Sequence, residues 1–168
     1  SLPHQGNAAK TLKKMLADFN LEAEDNFAVT GRKFKEFVDF PSISEPEATE
    51  LAYQAIKNNY PAVEAIVSAG GETFMVYELD ENGSIADVHS GNKCASGTGE
   101  FFLQQLKRMN ISLEEAMQSA QADNPYQLSG RCSVFCKSDC THALNKGQEK
   151  GKIVAGLCRM MSDKILEL

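Results

Sequence analysis

The sequence SGNKCASGTGE at residues 90–100 decides the fold, because residues 101–109 follow it directly with apolar side chains at helical spacing. Cys94 therefore stands before a loop of small residues and the start of a helix. Unpaired backbone N–H groups and the helix dipole favour negative charge at such a start. The stretch predicts a site for a thiolate, an iron–sulfur cluster or a phosphate.

The residues upstream predict strands that lead into this stretch. Residues 65–69 form a continuous apolar run, typical of a strand buried on both faces, and end at the glycine turn 70–73, GGET. Residues 73–79 and 84–89 are strand-like and flank DENG at 80–83, which is a strong hairpin signal. A strand, a glycine turn and a hairpin are expected in that order.

The remaining periodicities predict an α/β fold with a mixed sheet and a helical C-terminal half. Helices are expected at 8–19, at 44–59 with Ser44 as N-cap, and, beyond Gly97, at 99–109, 112–121, 133–145 and 149–168. Two further strands are expected at 26–30 and 34–40.

The domain organisation follows from the same patterns. We expect a single domain, 1–168, with an α/β part at 1–91 that contains the hairpin and a helical part at 92–168. The chain starts without methionine and its last helical pattern runs to the final residue, so we expect it to be excised from a longer protein.

Composition excludes several classes of function. The chain has 168 residues and a net charge of −6, and its basic residues are scattered, which argues against a nucleic-acid partner. No apolar run is long enough to cross a membrane, and the start does not resemble a signal peptide. A cytoplasmic location without membrane contact is expected.

Five cysteines, an odd number, favour metal, cluster or redox use over a disulfide framework. Cys132, Cys136 and Cys140 are spaced by four, so a helix would place them along one face, where they could gather near Cys94. Cys158 lies inside the last predicted helix and is expected to be a core residue.

A zinc-binding structural domain is one alternative use of these thiols. Its ligands would be Cys132, Cys136, Cys140 and His142, although this set lacks the Cys-x2-Cys spacing typical of structural zinc. The simpler interpretation of His142 is a partly exposed helix histidine.

Three motifs together resemble a known family. NKCASGTG at 92–99, GGE at 70–72 and CSVF at 132–135 are similar to the activator ATPases of 2-hydroxyacyl-CoA dehydratases and benzoyl-CoA reductases. This is the BadF/BadG/BcrA/BcrD family, also described as CoA-substrate-specific enzyme activases. The resemblance covers about residue 29 to the end and is closer to a domain of the large, multi-domain members.

The resemblance implies an actin/Hsp70/sugar-kinase-like (ribonuclease H-like) fold and a homodimer or pseudo-dimer. It implies a 4Fe-4S cluster that bridges two subunits, with Cys94 and Cys132 as ligands and Cys136 and Cys140 as further candidates. It also implies ATP and Mg, with a phosphate loop at Gly70, Gly71, Glu72 and Thr73. The implied activity is transfer of a low-potential electron to a CoA-ester dehydratase or reductase. No catalytic residue is assigned.

The phosphate loop departs from the family pattern at three positions. Glu72 stands where the family has Gln, Thr73 where it has Asp, and Ser68 where many members have Asp. A carboxylate beside phosphates repels them unless a metal intervenes. Other segments of the family's nucleotide site are not among these residues. The alternative function is therefore a degenerate, non-catalytic docking or scaffold module, and the isolated chain is expected to be inactive as an ATPase.

Overall fold

The computed structural model of the chain describes residues 7–18, 28–31, 36, 38–71, 73–91, 98–130 and 132–168. The chain divides into two compact units, Ser1–Ile56 and Lys57–Leu168. The second unit contains the glycine turn, the hairpin and the helices that carry the candidate thiols.

The first unit contains two helices, α1 at Ala8–Asp18 and α2 at Glu45–Ile56. The Ser44 hydroxyl accepts a hydrogen bond of 3.2 Å from the Glu47 N–H, so the predicted N-cap of α2 is confirmed. Two carboxylates in the first turn of α2 complement the positive end of the helix dipole. A short 3₁₀ turn, Lys57–Asn59, follows α2 at the start of the second unit.

The strands expected at 26–30 and 34–40 are not formed in the residues that the structure describes there. Val29 makes an isolated parallel bridge to Ser42, and Glu36 lies in a 3₁₀ turn. Residues 26, 27, 34, 35 and 37 lie outside the described part of the chain. The prediction was wrong for 38–40 because alternation shows which residues could share a face, but not whether a neighbouring strand exists to pair with them.

The sheet of the second unit is an antiparallel meander in the order β1-β2-β3. Its strands are β1 at Ala65–Ala69, β2 at Phe74–Leu79 and β3 at Ile85–Ser90, which confirms the predicted hairpin. Gly83 closes the hairpin turn with a φ of 79°, a left-handed conformation that favours glycine.

Asp80 holds this hairpin turn through its side chain. Its Oδ1 atom accepts hydrogen bonds of 2.9 Å from the backbone N–H groups of Asn82 and Ser84. The bond from Ser84 is the main reason why the pKa of Asp80 lies below its usual value.

Strand β1 is not buried on both faces, contrary to the prediction from its apolar sequence. Its residues alternate between exposed and half-buried, and Val67 is 49% exposed. Among the described residues β1 pairs only with β2 and lies at the edge of the sheet. An apolar run of five residues does not distinguish a central strand from an edge strand.

Four helices follow, as predicted: α3 at Gly99–Met109, α4 at Leu113–Ser119, α5 at Ser133–Asn145 and α6 at Lys150–Leu166. Ser112 and Glu115 form the predicted capping box at the start of α4. The core lies between these helices and comprises Phe101, Phe102, Leu106, Met109, Ala116, Cys136, Cys140, Ala143, Ile153, Val154, Leu157 and Met160.

Two glycines allow α6 to approach the segment before α5. A Cβ atom on Gly151 would overlap the carbonyl oxygen of Ser119, and one on Gly156 would overlap the carbonyl oxygen of Tyr126. The Tyr126 N–H also donates a 2.9 Å hydrogen bond to the Lys152 carbonyl. The backbone of α6 therefore lies directly against this segment.

Within the described ranges, the helices are all too short or too polar to cross a lipid bilayer.

Candidate functional site

The glycine turn after β1 is hydrogen-bonded to the first turn of α3. The Gly99 N–H donates to the Gly70 carbonyl and the Glu100 N–H donates to the Gly71 carbonyl, both at 3.1 Å. Within the turn, the Gly70 N–H donates to the Thr73 carbonyl at 2.9 Å. The predicted phosphate loop and the start of α3 therefore form one hydrogen-bonded unit.

These bonds change the expectation for the start of α3. The sequence predicted unpaired N–H groups there, available to an anion. The N–H groups of Gly99 and Glu100 are instead taken by the glycine turn, and the Thr98 hydroxyl accepts the Phe101 N–H at 3.3 Å. The start of α3 can therefore attract an anion through the positive end of its helix dipole, but not through these N–H groups.

Two of the predicted site residues, Glu72 and Cys94, lie outside the described residues. Gly70, Gly71 and Thr73 are described and lie directly after β1, where the sequence predicted the turn. The pairing of Cys94 with Cys132 therefore stays a prediction.

Cys132 is the N-cap residue of α5. Its backbone is extended, with φ −147° and ψ 137°, and its thiol makes no capping hydrogen bond. The residue is partly exposed, and Val134 and Phe135 beyond it are 69% and 64% exposed. A thiol that is not used in capping and lies at a helix start suits a cluster, because the positive end of the helix dipole favours a negatively charged group there.

Cys136 and Cys140 lie in the core rather than on this surface. Both are buried, and the hydrogen bond of the Cys140 thiol with the Cys136 sulfur, together with burial, raises the pKa of Cys140 far above its ordinary value. A thiol that stays protonated packs as a small apolar side chain and binds iron poorly. This environment favours a packing role for the pair, with Cys132 as the available thiol of α5.

Cys158 is exposed, contrary to the expectation that it would lie in the core. The neighbouring Leu157 takes the buried position on α6, so Cys158 is on the outer side of the helix. The sequence identified a helix here but not which of two adjacent apolar side chains faces inward.

A zinc site formed by Cys132, Cys136, Cys140 and His142 finds no support in the described residues. His142 is exposed, as its simpler interpretation predicted. Across the described part of the chain, the group of three or more metal-binding side chains with mutually close ligand atoms is Glu78, Asp87 and His89. This group was not predicted from the sequence, although the alternation of side chains along β2 and β3 could have placed all three on one face.

Comparison with known proteins identifies the family. The profile described as the BadF/BadG/BcrA/BcrD ATPase family matches residues 5–168. The chain belongs to this family, which confirms the resemblance found in its motifs.

Two characterised relatives illustrate the similarity. The chain is 26% identical over 168 residues to the (R)-2-hydroxyglutaryl-CoA dehydratase activating ATPase of Acidaminococcus fermentans, covering 95% of this chain and 62% of that protein. It is 27% identical over 109 residues to one of the subunits of benzoyl-CoA reductase from Thauera aromatica, covering 64% and 39%. The chain spans about half to three-fifths of the length of curated relatives that it matches.

A solved structure supports the fold. The activator of 2-hydroxyisocaproyl-CoA dehydratase from Clostridium difficile, solved with bound ADPNP, superposes with a TM-score of 0.78 at 25% identity. The match covers 95% of this chain and 60% of that one. The predicted actin-like α/β fold with a helical C-terminal half is therefore confirmed.

Proposed function

We propose that this chain is part of an ATP-dependent activase that delivers a low-potential electron to a CoA-ester dehydratase or reductase. Membership of the ATPase family supports the class of protein. The partner is proposed from the names of relatives, which are a dehydratase-activating ATPase and a component of benzoyl-CoA reductase. A cytoplasmic location goes with this proposal, since a reducing compartment keeps thiols available for a cluster.

The electron carrier in this proposal is a 4Fe-4S cluster held by Cys94 and Cys132. When bound, such a cluster supplies one-electron transfer at low potential. Cys132 supports it because its thiol is partly exposed at a helix start and makes no capping hydrogen bond. Two thiols per subunit leave a four-iron cluster half-ligated, so a second subunit or a second such domain supplies the others.

Nucleotide binding is assigned to the turn at Gly70–Thr73, with ATP and Mg as the ligands of the intact protein. The observation that carries the proposal is the pair of hydrogen bonds from Gly99 and Glu100 to this turn. Because α3 follows the segment that contains Cys94, a displacement of the turn by nucleotide acts directly on the helix next to the proposed ligand. The turn thus provides a physical route between ATP and the cluster.

The exposed side chains of Val134 and Phe135 fit an assembly at this end of α5. Large apolar groups side by side on a surface are typical of places where another protein binds. Their position, directly after Cys132, is where a subunit that shares the cluster would make contact.

Anaerobic reconstitution with iron and sulfide tests the proposal. We expect about two iron atoms per chain in the parent, which is one four-iron cluster shared by two chains. Cys94→Ser and Cys132→Ser should each lose most of this iron and its visible absorption. Cys158→Ser is the matched control because its thiol is also on the surface, and it should bind iron like the parent.

The opposite pattern would overturn the ligand assignment. If Cys94→Ser and Cys132→Ser retain the parent's iron while Cys136→Ser and Cys140→Ser lose it, the cluster is held by the other thiols. Thermal unfolding of all variants distinguishes loss of iron from loss of fold, which matters most for the two buried cysteines.

A non-catalytic docking module is the second candidate. The Gly70 N–H is already bonded to Thr73, so it is not available to a phosphate, and Ser68 and Thr73 lack the carboxylates expected around a magnesium ion. Equilibrium binding of a non-hydrolysable ATP analogue, with and without Mg, separates the two candidates. The activase requires Mg-dependent binding that Gly71→Val weakens, whereas a docking module requires none.

A further inference from the structure

Three metal-binding side chains lie together on one face of the β2–β3 hairpin, apart from the cysteines. Glu78 on β2 is directly opposite Asp87 on β3, and His89 follows two residues later on the same strand. Because side chains alternate along a strand, Asp87 and His89 point to the same face, and the cross-strand partner Glu78 joins them.

The distances between their ligand atoms suit a metal ion. His89 Nε2 lies 3.1 Å from Glu78 Oε1 and 3.9 Å from Asp87 Oδ2, and the three ligand atoms are all within 4.8 Å of one another. In a tetrahedral site with bonds of about 2.0–2.1 Å, neighbouring ligand atoms are about 3.3 Å apart. The distance from His89 Nε2 to Glu78 Oε1 already matches this value. A small rotation of the Asp87 carboxylate would shorten the distance from Nε2 to Asp87 Oδ2 to the same value.

The surroundings of the imidazole nitrogen are consistent with this geometry. Nε2 of His89 is shielded from solvent and, within the described ranges, has no partner with hydrogen-bond geometry, although the side chain as a whole is 33% exposed. A shielded polar atom without such a partner calls for an explanation. The Val88 N–H holds Asp87 Oδ1 at 2.7 Å, which leaves Oδ2 on the side of His89. One nitrogen and two oxygen atoms therefore lie within 4.8 Å of one another.

We propose that Glu78, Asp87 and His89 bind a divalent transition-metal ion, with zinc as the best match. One imidazole nitrogen and two carboxylate oxygens suit zinc, whereas calcium and magnesium prefer oxygen ligands alone. Three protein ligands leave the fourth position to water. The ion would join β2 to β3 just before the segment that contains Cys94, and so would stiffen the strand leading into it.

Zinc titration of the intact protein, followed by calorimetry, tests this site. The parent should bind zinc at this site with a stoichiometry of one per chain, and His89→Gln should bind it at least about tenfold more weakly, as is typical when metal coordination is perturbed. The matched control is His142→Gln, since His142 is an exposed histidine on α5, and it should bind like the parent. Zinc bound by cysteine thiols instead would still bind to His89→Gln but would no longer bind to Cys132→Ser.

Nuclear magnetic resonance gives a second readout. The chain has three histidines, so the imidazole signals are few and can be assigned by substitution. Zinc should shift the ring signals of His89 and leave those of His142 in place. If His89→Gln does not fold, Asp87→Asn takes its role in the titration and should weaken binding by a similar factor. Zinc affinity unchanged in these variants, or a His89 signal indifferent to zinc, overturns the proposal and leaves an ordinary ion pair.

Discussion

The backbone N–H of Gly99 lies 3.1 Å from the carbonyl oxygen of Gly70, which joins the start of α3 to the turn after β1. The two residues are far apart in sequence, and the six residues before Thr98, which include Cys94, are not described. A Cβ on Gly99 would lie 3.4 Å from the same oxygen, so the contact leaves little space beyond a methyl group. The hydrogen bond therefore connects the glycine turn at 70–73 directly to the helix start that follows the Cys94 motif, although the two motifs are separate in the sequence.

Gly99→Pro tests this link. Proline is tolerated at the first position of a helix, and Thr98 already has the extended backbone that precedes a proline. The substitution removes the N–H that bonds Gly70 and puts a ring carbon in place of the hydrogen, so the turn has to move away from the start of α3. Stability should therefore fall by more than the about 0.5–1.5 kcal/mol of a lost hydrogen bond, while α3 is retained. Gly99→Ala keeps the N–H and is the control. Urea unfolding and circular dichroism provide the measurements.

The same pair of variants examines the coupling to the cluster. In the reconstituted protein, ATP should change the rate at which a chelator removes iron. Gly99→Pro should weaken that dependence and Gly99→Ala should preserve it. An undiminished effect of ATP in the proline variant would exclude this hydrogen bond as the route.

Gly156→Ala should destabilise the second unit strongly. Its new methyl group would overlap the Tyr126 carbonyl, a backbone atom that cannot rotate away. Overpacking of this kind costs about 1–3 kcal/mol. Gly71→Ala is the control, because a Cβ there meets no atom of the described residues within 4 Å, and its effect should stay within about 0.5 kcal/mol. Equal melting temperatures for the two variants would contradict the packing of α6 described above.

Glu115 should make stability depend on pH. Its hydrogen bonds with Ser112, led by the one from the backbone N–H, lower its pKa below the ordinary 4.5. The unfolded chain therefore takes up the proton more readily than the folded one. The stabilisation is present above pH 4.5 and is lost as the pH falls through the folded-state pKa.

The variants Glu115→Gln and Glu114→Gln separate the capping box from the general effect of charge. Unfolding free energies between about pH 6 and about pH 3 should decline less steeply in Glu115→Gln than in the parent. Glu114 is not part of the capping box, so the unfolding free energy of Glu114→Gln should depend on pH as that of the parent does. Ser112→Ala, which removes the cap itself, should cost about 1 kcal/mol at neutral pH.

The described thiols should differ in their rates of alkylation. Cys132 is partly exposed and should react with iodoacetamide at neutral pH. The exposed Cys158 should also react, but more slowly, because desolvation raises its pKa. Cys136 and Cys140 are buried, and the raised pKa of Cys140 keeps it protonated, so both should react only on unfolding. Peptide mass spectrometry over time measures the order. Early labelling of Cys140 in the folded protein would contradict the core as described.

The purified chain should not hydrolyse ATP at a useful rate. Phosphoryl transfer depends mainly on positioning, and the turn offers neither a free Gly70 N–H nor a carboxylate at positions 68 and 73. A steady-state phosphate release assay provides the measurement. Sustained turnover that Gly71→Val abolishes would show that the turn positions nucleotide despite these departures.

Local sequence patterns predicted the helices and the hairpin because their determinants are local. The capping box at Ser112 and the Asn82-Gly83 turn each act over a few residues, and both were found where the sequence placed them. Burial was harder to predict. Strand β1 is exposed and Cys158 faces outward, because burial depends on neighbours that are distant in the chain.

The candidate site was predicted mainly through its motifs. Periodicity could not show that Gly70 contacts Gly99, which is a tertiary contact. Alternation could place Glu78 and His89 on one face of the hairpin, but the distance between them depends on the strand register. The resemblance to a family identified Cys132 correctly as a residue at a helix start. The resemblance could not show that Cys136 and Cys140, on the same helix, are buried in the core.

The unequal burial along α5 has a consequence for oxidative damage. An oxidant that reaches the folded protein meets Cys132 at the helix start, while the two thiols further along are shielded by the core. Oxidation to a sulfenic acid or a mixed disulfide would therefore be confined to the end of the helix and leave its packing intact. Such a lesion is reversible by thiol reductants, so oxidation of Cys132 in air would leave α5 folded and repairable.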